Sequence, residues 1–125
     1  MSVLVDTSVW VGHFKQSNQR LVDLLESGLV RCHPYVVVEI ACGTPPNRHN
    51  IIELLQALEM VPVATPLEMI ELLARRQLYG RGCGFVDMSL LAGALMCRGT
   101  QLWTLDKRLA VLAHQVGVAY ELGLH

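Results

Sequence analysis

Residues 3–10 read VLVDTSVW and join an apolar strand to a helix. An uninterrupted aliphatic run such as 3–5 is typical of a parallel strand that is covered on both faces. Asp6 follows directly, although a carboxylate is costly to bury without a partner. A helix cap is the structural alternative for Asp6, but Thr7 or Ser8 could fill that position. Because open α/β sheets bind ligands beyond the carboxyl ends of their strands, the pattern favours a functional carboxylate at Asp6.

Short apolar runs alternate with helical patterns along the rest of the chain. Further strands are predicted at residues 29–32, 60–63, 101–104 and 118–120. Helices are predicted at residues 7–15, 21–27, 34–41, 51–58, 65–78 and 87–98, and from 106 onward. The helix that starts at the capping box of residues 65–68 is predicted to bury one apolar face, formed by Leu67, Ile70, Leu73, Ala74 and Leu78. Strands that alternate with helices predict an α/β sandwich around a mostly parallel sheet.

A length of 125 residues, with no repeat and no linker long enough to separate domains, predicts a single domain over residues 1–125. The chain is 52% hydrophobic and 17% charged, which suits a compact core and excludes disorder. A net charge of −1 does not indicate a nucleic-acid binder, so a polyanion site would need a local basic patch. The four cysteines form no C-x-x-C pair, and no signal peptide or membrane span is visible. These features predict a soluble, cytoplasmic protein without a membrane partner.

Four of the eleven acidic residues lie where a solvated surface carboxylate is not expected, namely Asp6, Glu39, Asp87 and Asp106. Glu39 is the only formal charge within residues 32–47, and its helical neighbours offer no salt-bridge partner. Asp87 opens the most apolar helix, and Asp106 follows a predicted strand; a helix cap is the alternative for both. Because the carboxyl ends of parallel strands meet at one edge, Asp6 and Asp106 are predicted to lie together.

A cluster of carboxylates requires a compensating cation. Two like charges 4 Å apart repel by about 4 kcal/mol at an effective dielectric constant near 20. Ligands that are all oxygen favour Mg²⁺ or Mn²⁺ over zinc, and such a site suits phosphodiester hydrolysis. The histidines show no metal-ligand spacing and are predicted to be structural or on the surface; they are His13, His33, His49, His114 and His125.

These motifs resemble the PIN-domain ribonucleases, in particular the VapC-type toxins of bacterial toxin–antitoxin pairs. The resemblance covers nearly the whole chain and rests on four stretches in order, VLVDTSVW, VVVEIACG, GFVDMSLLAGAL and LWTLDKRL. It implies a PIN-like three-layer α/β/α sandwich with a short, mostly parallel sheet. It also implies a catalytic, metal-binding site for Mg²⁺ or Mn²⁺ built from Asp6, Glu39, Asp87 and Asp106. The same resemblance assigns supporting hydroxyls to Thr7, Ser8 and Thr104.

The resemblance further implies a substrate and protein partners. Relatives cleave single-stranded or structured RNA of the tRNA or rRNA class, form homodimers and are silenced by a cognate antitoxin whose C-terminal segment covers the acidic groove. Phosphate contacts are predicted at Lys107 and Arg108, beside Asp106, and at Arg81 in the glycine-rich connector; a solvated surface is the alternative. One departure is visible, because many relatives carry a small polar residue before the helix glutamate where this chain has residues 36–38, VVV.

Two other functions remain open from the residues alone. One is a phosphatase or phospho-acceptor domain that uses Asp6. Phospho-acceptor domains usually need a lysine after a later strand, and Lys107, which follows Asp106 directly, fits that requirement poorly. The other is an inactive PIN-like module that only binds a partner protein, and the presence of all four acids argues against it.

Overall fold

The computed structural model describes residues 1–121, which form four strands and seven helices. The strands are β1 (Ser2–Val5), β2 (Val30–Cys32), β3 (Glu59–Met60) and β4 (Thr100–Trp103). The helices are α1 (Thr7–Lys15), α2 (Gln19–Glu26), α3 (Pro34–Ala41), α4 (Arg48–Ala57), α5 (Pro66–Arg76), α6 (Phe85–Leu95) and α7 (Lys107–Gln115). The architecture is the predicted three-layer α/β/α sandwich.

The sheet has the order β3-β2-β1-β4, and all pairings between these strands are parallel. The chain runs from β1 through β2 to β3 on one side, and then places β4 on the other side of β1. The strand order therefore reverses between β1 and β4, where Val5 lies opposite Trp103. The backbone N–H of Asp6 donates to the Trp103 carbonyl at 2.9 Å and continues this pairing by one residue. Such a reversal opens a crevice at the carboxyl ends of the strands.

The core explains why β1 and α6 carry almost uninterrupted apolar runs. Residues 3–5 of β1 are fully buried, and the side chains of residues 88–94 in α6 are buried on every side. The helix α6 packs against β4 and against α5. Close packing explains the glycine at position 93, because a Cβ there would lie 2.7 Å from Cγ2 of Val61. Within residues 1–121, no helix is both long enough and apolar enough to cross a membrane.

The predicted inner face of α5 is partly wrong. Leu67 and Ile70 are 65% and 63% exposed, whereas Met69 is buried. Ala74 is also exposed and Leu73 is half-buried, while residue 78 is buried as predicted. The helix carries two overlapping apolar stripes, and the one that contains Met69 faces the core. Periodicity does not distinguish between the two stripes, so the choice is made by packing against α6.

Several predicted boundaries also shift. Strand β3 ends at residue 60 instead of continuing to 63, because Pro62 cannot donate to a sheet. The strand predicted at 118–120 is reduced to a parallel bridge between Ala119 and Leu102. Helix α6 begins at Phe85 with Gly84 as its cap, so residue 87 lies in the first turn rather than opening the helix. The helix also stops at residue 95, before the predicted end at 98.

Histidines in the described chain have local structural or surface roles. His33 is fully buried and caps α3, because its Nδ1 accepts the N–H of residue 35 at 3.0 Å. Nδ1 of His13 accepts the N–H of residue 18 at 2.9 Å. His49 and His114 lie near glutamates at 3.5 and 3.3 Å. His125 lies outside the described residues.

A candidate acidic site at the carboxyl edge of the sheet

Asp6 occupies the cap position of α1 but does not serve as a side-chain cap. Its carboxylate makes no capping hydrogen bond within residues 1–121, and the residue is 6% exposed. Oδ2 accepts two hydrogen bonds instead, from Oγ of Ser8 at 2.8 Å and from Oγ1 of Thr104 at 2.7 Å. These charge-assisted bonds offset part of the cost of removing the carboxylate from water. The cap interpretation therefore does not explain this side chain.

Both hydroxyls are oriented by the backbone. Oγ of Ser8 accepts the N–H of Leu105 at 3.0 Å, and Oγ1 of Thr104 accepts the N–H of Asp106 at 3.0 Å. A hydroxyl has one proton, so a hydroxyl that accepts from the backbone can direct that proton at the carboxylate. The segment of residues 104–106 is thereby tied to Asp6. The two strand ends on either side of the crevice form one hydrogen-bonded unit.

Glu39 receives its hydroxyl from α1. Oγ1 of Thr7 donates to Oε1 of Glu39 at 2.6 Å, and the glutamate is exposed. Helices α1 and α3 pack against each other, which brings these residues together across 32 positions of the chain. The valines of residues 36–38 contribute no hydroxyl, so Thr7 supplies the polar support that this part of α3 lacks.

Asp87 shares its electrostatic environment with the other three acids. Partial burial raises the pKa of Asp87, and the negative charges of Asp6, Asp106 and, more weakly, Glu39 raise it further. A hydrogen bond with the Gly84 backbone opposes this shift. Asp87 thus lies near enough to the other three predicted carboxylates for their charges to act on it.

Asp106 also serves as a helix cap. Its Oδ1 accepts the N–H of Leu109 at 3.0 Å, at the start of α7. The cap alternative is therefore realised at Asp106, whereas Asp87 lies within the first turn of α6. Capping uses one carboxylate oxygen of Asp106, and the residue as a whole is exposed.

The donor set fits a hard divalent cation. All four candidate ligands are carboxylates, which Mg²⁺ and Mn²⁺ prefer. Burial is the largest cause of the raised pKa of Asp87, and the neighbouring negative charges, which a cation would neutralise, raise it further. In the part of the chain described, no group of three Asp, Glu, His or Cys side chains is close enough to hold a metal ion as it stands. Mg²⁺ retains several waters in proteins, so carboxylates can hold it through water as well as directly.

Two of the three predicted phosphate-binding cations, Lys107 and Arg108, follow Asp106 at the start of α7, whereas Arg81 lies in the connector before α6. Arg81, Lys107 and Arg108 are all exposed. Nη1 of Arg108 lies 3.5 Å from the Gly82 carbonyl, and a Cβ on Gly82, whose φ is +85°, would come within 3.0 Å of the arginine side chain. Nη1 of Arg81 donates to Oε1 of Gln115 at 2.9 Å. The connector between α5 and α6 thus lies along α7, with Gly82 near Arg108 at the start of the helix and Arg81 bonded to Gln115 at its end.

Two features beside the acids escaped sequence reasoning. Burial raises the pKa of the Cys83 thiol, and the charges of Asp87 and Asp106 raise it further, so this connector residue lies beside the acids. An apolar groove of about 280 Å³ adjoins Glu39. It is lined in part by Val11, Phe14, Ile40, Pro45 and Pro46. Sequence reasoning could not find the groove, because its lining is contributed by α1, α3 and the loop after α3, which only the fold brings together.

This fold and the clustered acids correspond to a known class of protein. The family model for the PIN domain matches residues 3–115, and the chain belongs to the PIN-domain family. The predicted family resemblance is confirmed. The chain is 44% identical over 117 residues to "Ribonuclease VapC32" of Mycobacterium tuberculosis strain CDC 1551 / Oshkosh, a match that covers 94% of both chains. The protein of the same name in strain ATCC 25618 / H37Rv matches to the same extent.

Proposed function

We propose that residues 1–125 form a single domain that acts as the toxin endoribonuclease of a toxin–antitoxin pair. The reaction is Mg²⁺- or Mn²⁺-dependent hydrolysis of phosphodiester bonds in structured or single-stranded RNA, of the tRNA or rRNA class. The observation that carries this proposal is the Asp6 carboxylate, held by two hydroxyls where the strand order reverses and near enough to Asp87 for the two charges to interact. Membership of the PIN family and the ribonuclease names of the relatives support it.

In this proposal, Asp6, Glu39, Asp87 and Asp106 hold the cation directly or through water. A bound divalent cation would lower the pKa of an attacking water and stabilise charge on the phosphate. Ser8 and Thr104 keep the Asp6 carboxylate in one orientation, and Thr7 does the same for Glu39. One of the four carboxylates also orients the attacking water. Lys107, Arg108 and Arg81 bind flanking RNA phosphates, which positions the substrate without reading its sequence.

The decisive experiment is RNA cleavage by the Asp6→Asn variant in Mg²⁺ or Mn²⁺. Even partners of metal ligands typically contribute 10- to 100-fold to activity, so we expect a loss of roughly 100-fold or more. The matched control is Asp23→Asn, because Asp23 is an exposed acid on α2 that accepts a hydrogen bond from Gln19. Undiminished cleavage by Asp6→Asn would contradict the assignment of Asp6.

The same protein preparation can distinguish the proposed ribonuclease from a phospho-acceptor domain and from an inactive binding module. A covalent phosphate on Asp6 after incubation with acetyl phosphate, detected as a mass increase, would support a phosphatase or phospho-acceptor. A protein that neither cleaves RNA nor binds Mn²⁺ in calorimetry would be an inactive binding module. Growth arrest on induction, relieved by Asp6→Asn, is the outcome expected for a toxin.

A cognate antitoxin is the proposed regulatory partner, and its C-terminal segment covers the acidic groove. The apolar groove beside Glu39 supports this proposal, since it offers a surface for such a segment next to the carboxylates. Replacement of Phe14, which lines the groove, by Glu should weaken capture of the antitoxin encoded beside this gene. Retained capture by that variant would place the antitoxin elsewhere.

We also propose that the chain forms a homodimer in the cytoplasm. The outward apolar stripe of α5 supports a second copy as its partner, because Leu67 and Ile70 are both mostly exposed. Light scattering should give about twice the mass of 13.9 kDa for the wild type and a lower mass for Leu67→Glu. A dimer that survives the substitution would use a different face.

A further inference from the structure

Three aromatic rings form a row that leads from the core to the surface. The ring centroids of His33 and Tyr35 are 4.8 Å apart, and those of Tyr35 and Phe85 are 5.6 Å apart. The interplanar angles are 51° and 39°, so the rings meet in tilted contacts. His33 is fully buried, Tyr35 is half-buried and Phe85 is 59% exposed. The outermost ring therefore presents much of its surface to solvent.

Hydrogen bonds at the starts of α3 and α6 hold the residues of this row in place. Nδ1 of His33 accepts the backbone N–H of Tyr35 at 3.0 Å, which orients the His33 ring at the start of α3. Phe85 is the first residue of α6, and its carbonyl accepts a 2.8 Å hydrogen bond from Oγ of Ser89. A single exposed apolar residue is ordinary on a protein surface. This ring differs because two further rings pack behind it in a row, and the last of them, His33, is fully buried.

The row also lies beside the acidic site. Tyr35 precedes Glu39 by four residues, so their side chains lie on the same face of α3. Phe85 lies two residues before Asp87 in the first turn of α6. The contact between Tyr35 and Phe85 therefore joins the two helices that carry Glu39 and Asp87. Phe85 is thus linked through Tyr35 to the helix that carries Glu39, and it shares the first turn of α6 with Asp87.

We propose that Phe85, backed by Tyr35, is the surface on which an unpaired RNA base stacks beside the phosphodiester that is cleaved. The inference rests on the proposed RNA hydrolysis and adds the recognition of an unpaired nucleotide to it. A stacked base carries a phosphate on each side. Cys83, two positions before Phe85, lies within reach of the negative charge of Asp87 and the positive charge of Arg108, so charges of both signs lie near this part of the chain. This charge pattern favours a nucleotide over an apolar peptide as the occupant.

Stacking makes a defined prediction about selectivity. Every base has a π face, so stacking tolerates sequence, but a base within a duplex is already stacked and paired. Phe85 therefore selects unpaired nucleotides and discriminates weakly among the four bases. A duplex substrate of the same sequence should be a poor competitor.

Steady-state cleavage of a single-stranded oligoribonucleotide tests the role of Phe85. The variant Phe85→Leu keeps an apolar side chain but lacks a π face, and Phe85→Trp restores one. Alanine substitution of stacking residues corresponds to roughly 10- to 100-fold in affinity, so KM should rise by about this factor in Phe85→Leu while kcat changes little. Phe85→Trp should restore KM. The control Val111→Ala alters a side chain of similar exposure, 56%, on α7 and should leave both parameters unchanged.

A binding titration separates this inference from the proposed function. The Asp6→Asn variant is titrated with oligoribonucleotides that carry 2-aminopurine at successive positions, and stacking should quench its fluorescence at one or two of them. Adding Phe85→Leu should abolish the quenching. If the wild type cleaves RNA but Phe85→Leu changes neither KM nor the quenching, the inference about Phe85 is overturned while the proposed function stands. The same holds if Phe85→Leu impairs only the binding of a protein partner. Absence of wild-type cleavage would overturn the proposed function, while loss of quenching in Phe85→Leu would still support the stacking surface.

Discussion

Thr104 donates a hydrogen bond of 2.7 Å to Oδ2 of Asp6, although 98 positions of the chain separate the two residues. The bond spans the ends of β1 and β4, where the strand order reverses. The same threonine oxygen accepts the N–H of Asp106 at 3.0 Å, so one side chain links two of the four carboxyl residues. The geometry of the acidic site thus depends on a neutral residue.

Replacing Thr104 with Val tests this dependence, because valine keeps the shape and removes the hydroxyl. Asp6, which is 6% exposed, would lose a donor, and the N–H of Asp106 would lose its acceptor. Leaving a buried polar group unsatisfied typically costs about 1–3 kcal/mol, so the free energy of unfolding in urea should fall by that amount. RNA cleavage should fall as well. Thr104→Ser should retain most of both; equal stability of the Val and Ser variants would contradict this role.

Gly93 and Gly12 form a matched pair of helix glycines with opposite expected responses. A Cβ at Gly93 would lie 2.7 Å from Cγ2 of Val61 and 3.2 Å from the carbonyl of Pro62. Overpacking of this kind costs about 1–3 kcal/mol, so Gly93→Ala should lower the free energy of unfolding. At Gly12 the nearest atom would be Cδ1 of Leu105 at 3.8 Å, an ordinary contact. Gly12→Ala should therefore stabilise α1 by roughly 0.5–1 kcal/mol. Two changes of the same sign would contradict this packing argument.

Strands β1, β2 and β4 could be predicted because each depends on local pattern, and the same pattern singled out the four acids as candidates. The strand predicted at 118–120 forms only a bridge. The apolar run before Asp6 marks β1, and the topology brings the strand ends together. The inner face of α5 could not be predicted, since Met69 and Leu67 lie on overlapping stripes and only packing against α6 selects one of them. The hydrogen-bond partner of Thr7 could not be predicted from the sequence either. Its hydrogen bond to Glu39 depends on how α1 lies against α3, which no local pattern encodes.

His33 should make the protein sensitive to mild acid. Burial lowers the pKa of His33, and its Nδ1 must remain unprotonated to cap α3. The unfolded chain therefore binds a proton more readily than the folded one near pH 6.5, and stability falls as the pH drops below that value. His33→Asn keeps a good capping residue without a titratable ring. Urea midpoints between pH 7.5 and 5.5 should fall less in this variant than in the wild type, and parallel curves would exclude His33 as the cause.

Asp87 should impose the opposite pH dependence. Its pKa is raised by burial and by the charges of Asp6 and Asp106, so the folded state holds the proton to a higher pH than the unfolded chain does. Stability of the metal-free protein should therefore fall as pH rises from about 3.9, the ordinary value for Asp, through the folded pKa. Asp87→Asn should remove this slope and raise the thermal midpoint at pH 7 in the presence of EDTA. The exposed-site control Asp23→Asn should retain the slope; an unchanged midpoint in Asp87→Asn would contradict the inferred repulsion.

A divalent cation should reverse the penalty that the four carboxylates impose on the folded state. A ligand that binds only the folded protein stabilises it by about 2.7 kcal/mol when its concentration is 100 times Kd. Titration of Mn²⁺ into the metal-free wild type should therefore raise the thermal midpoint, with a smaller increase for Asp6→Asn, because the variant lacks one negative ligand. This readout does not require RNA, so it separates cation binding from catalysis. Equal increases in both proteins would mean that the cation binds away from Asp6, and the four acids would then have to be explained by something other than a shared metal.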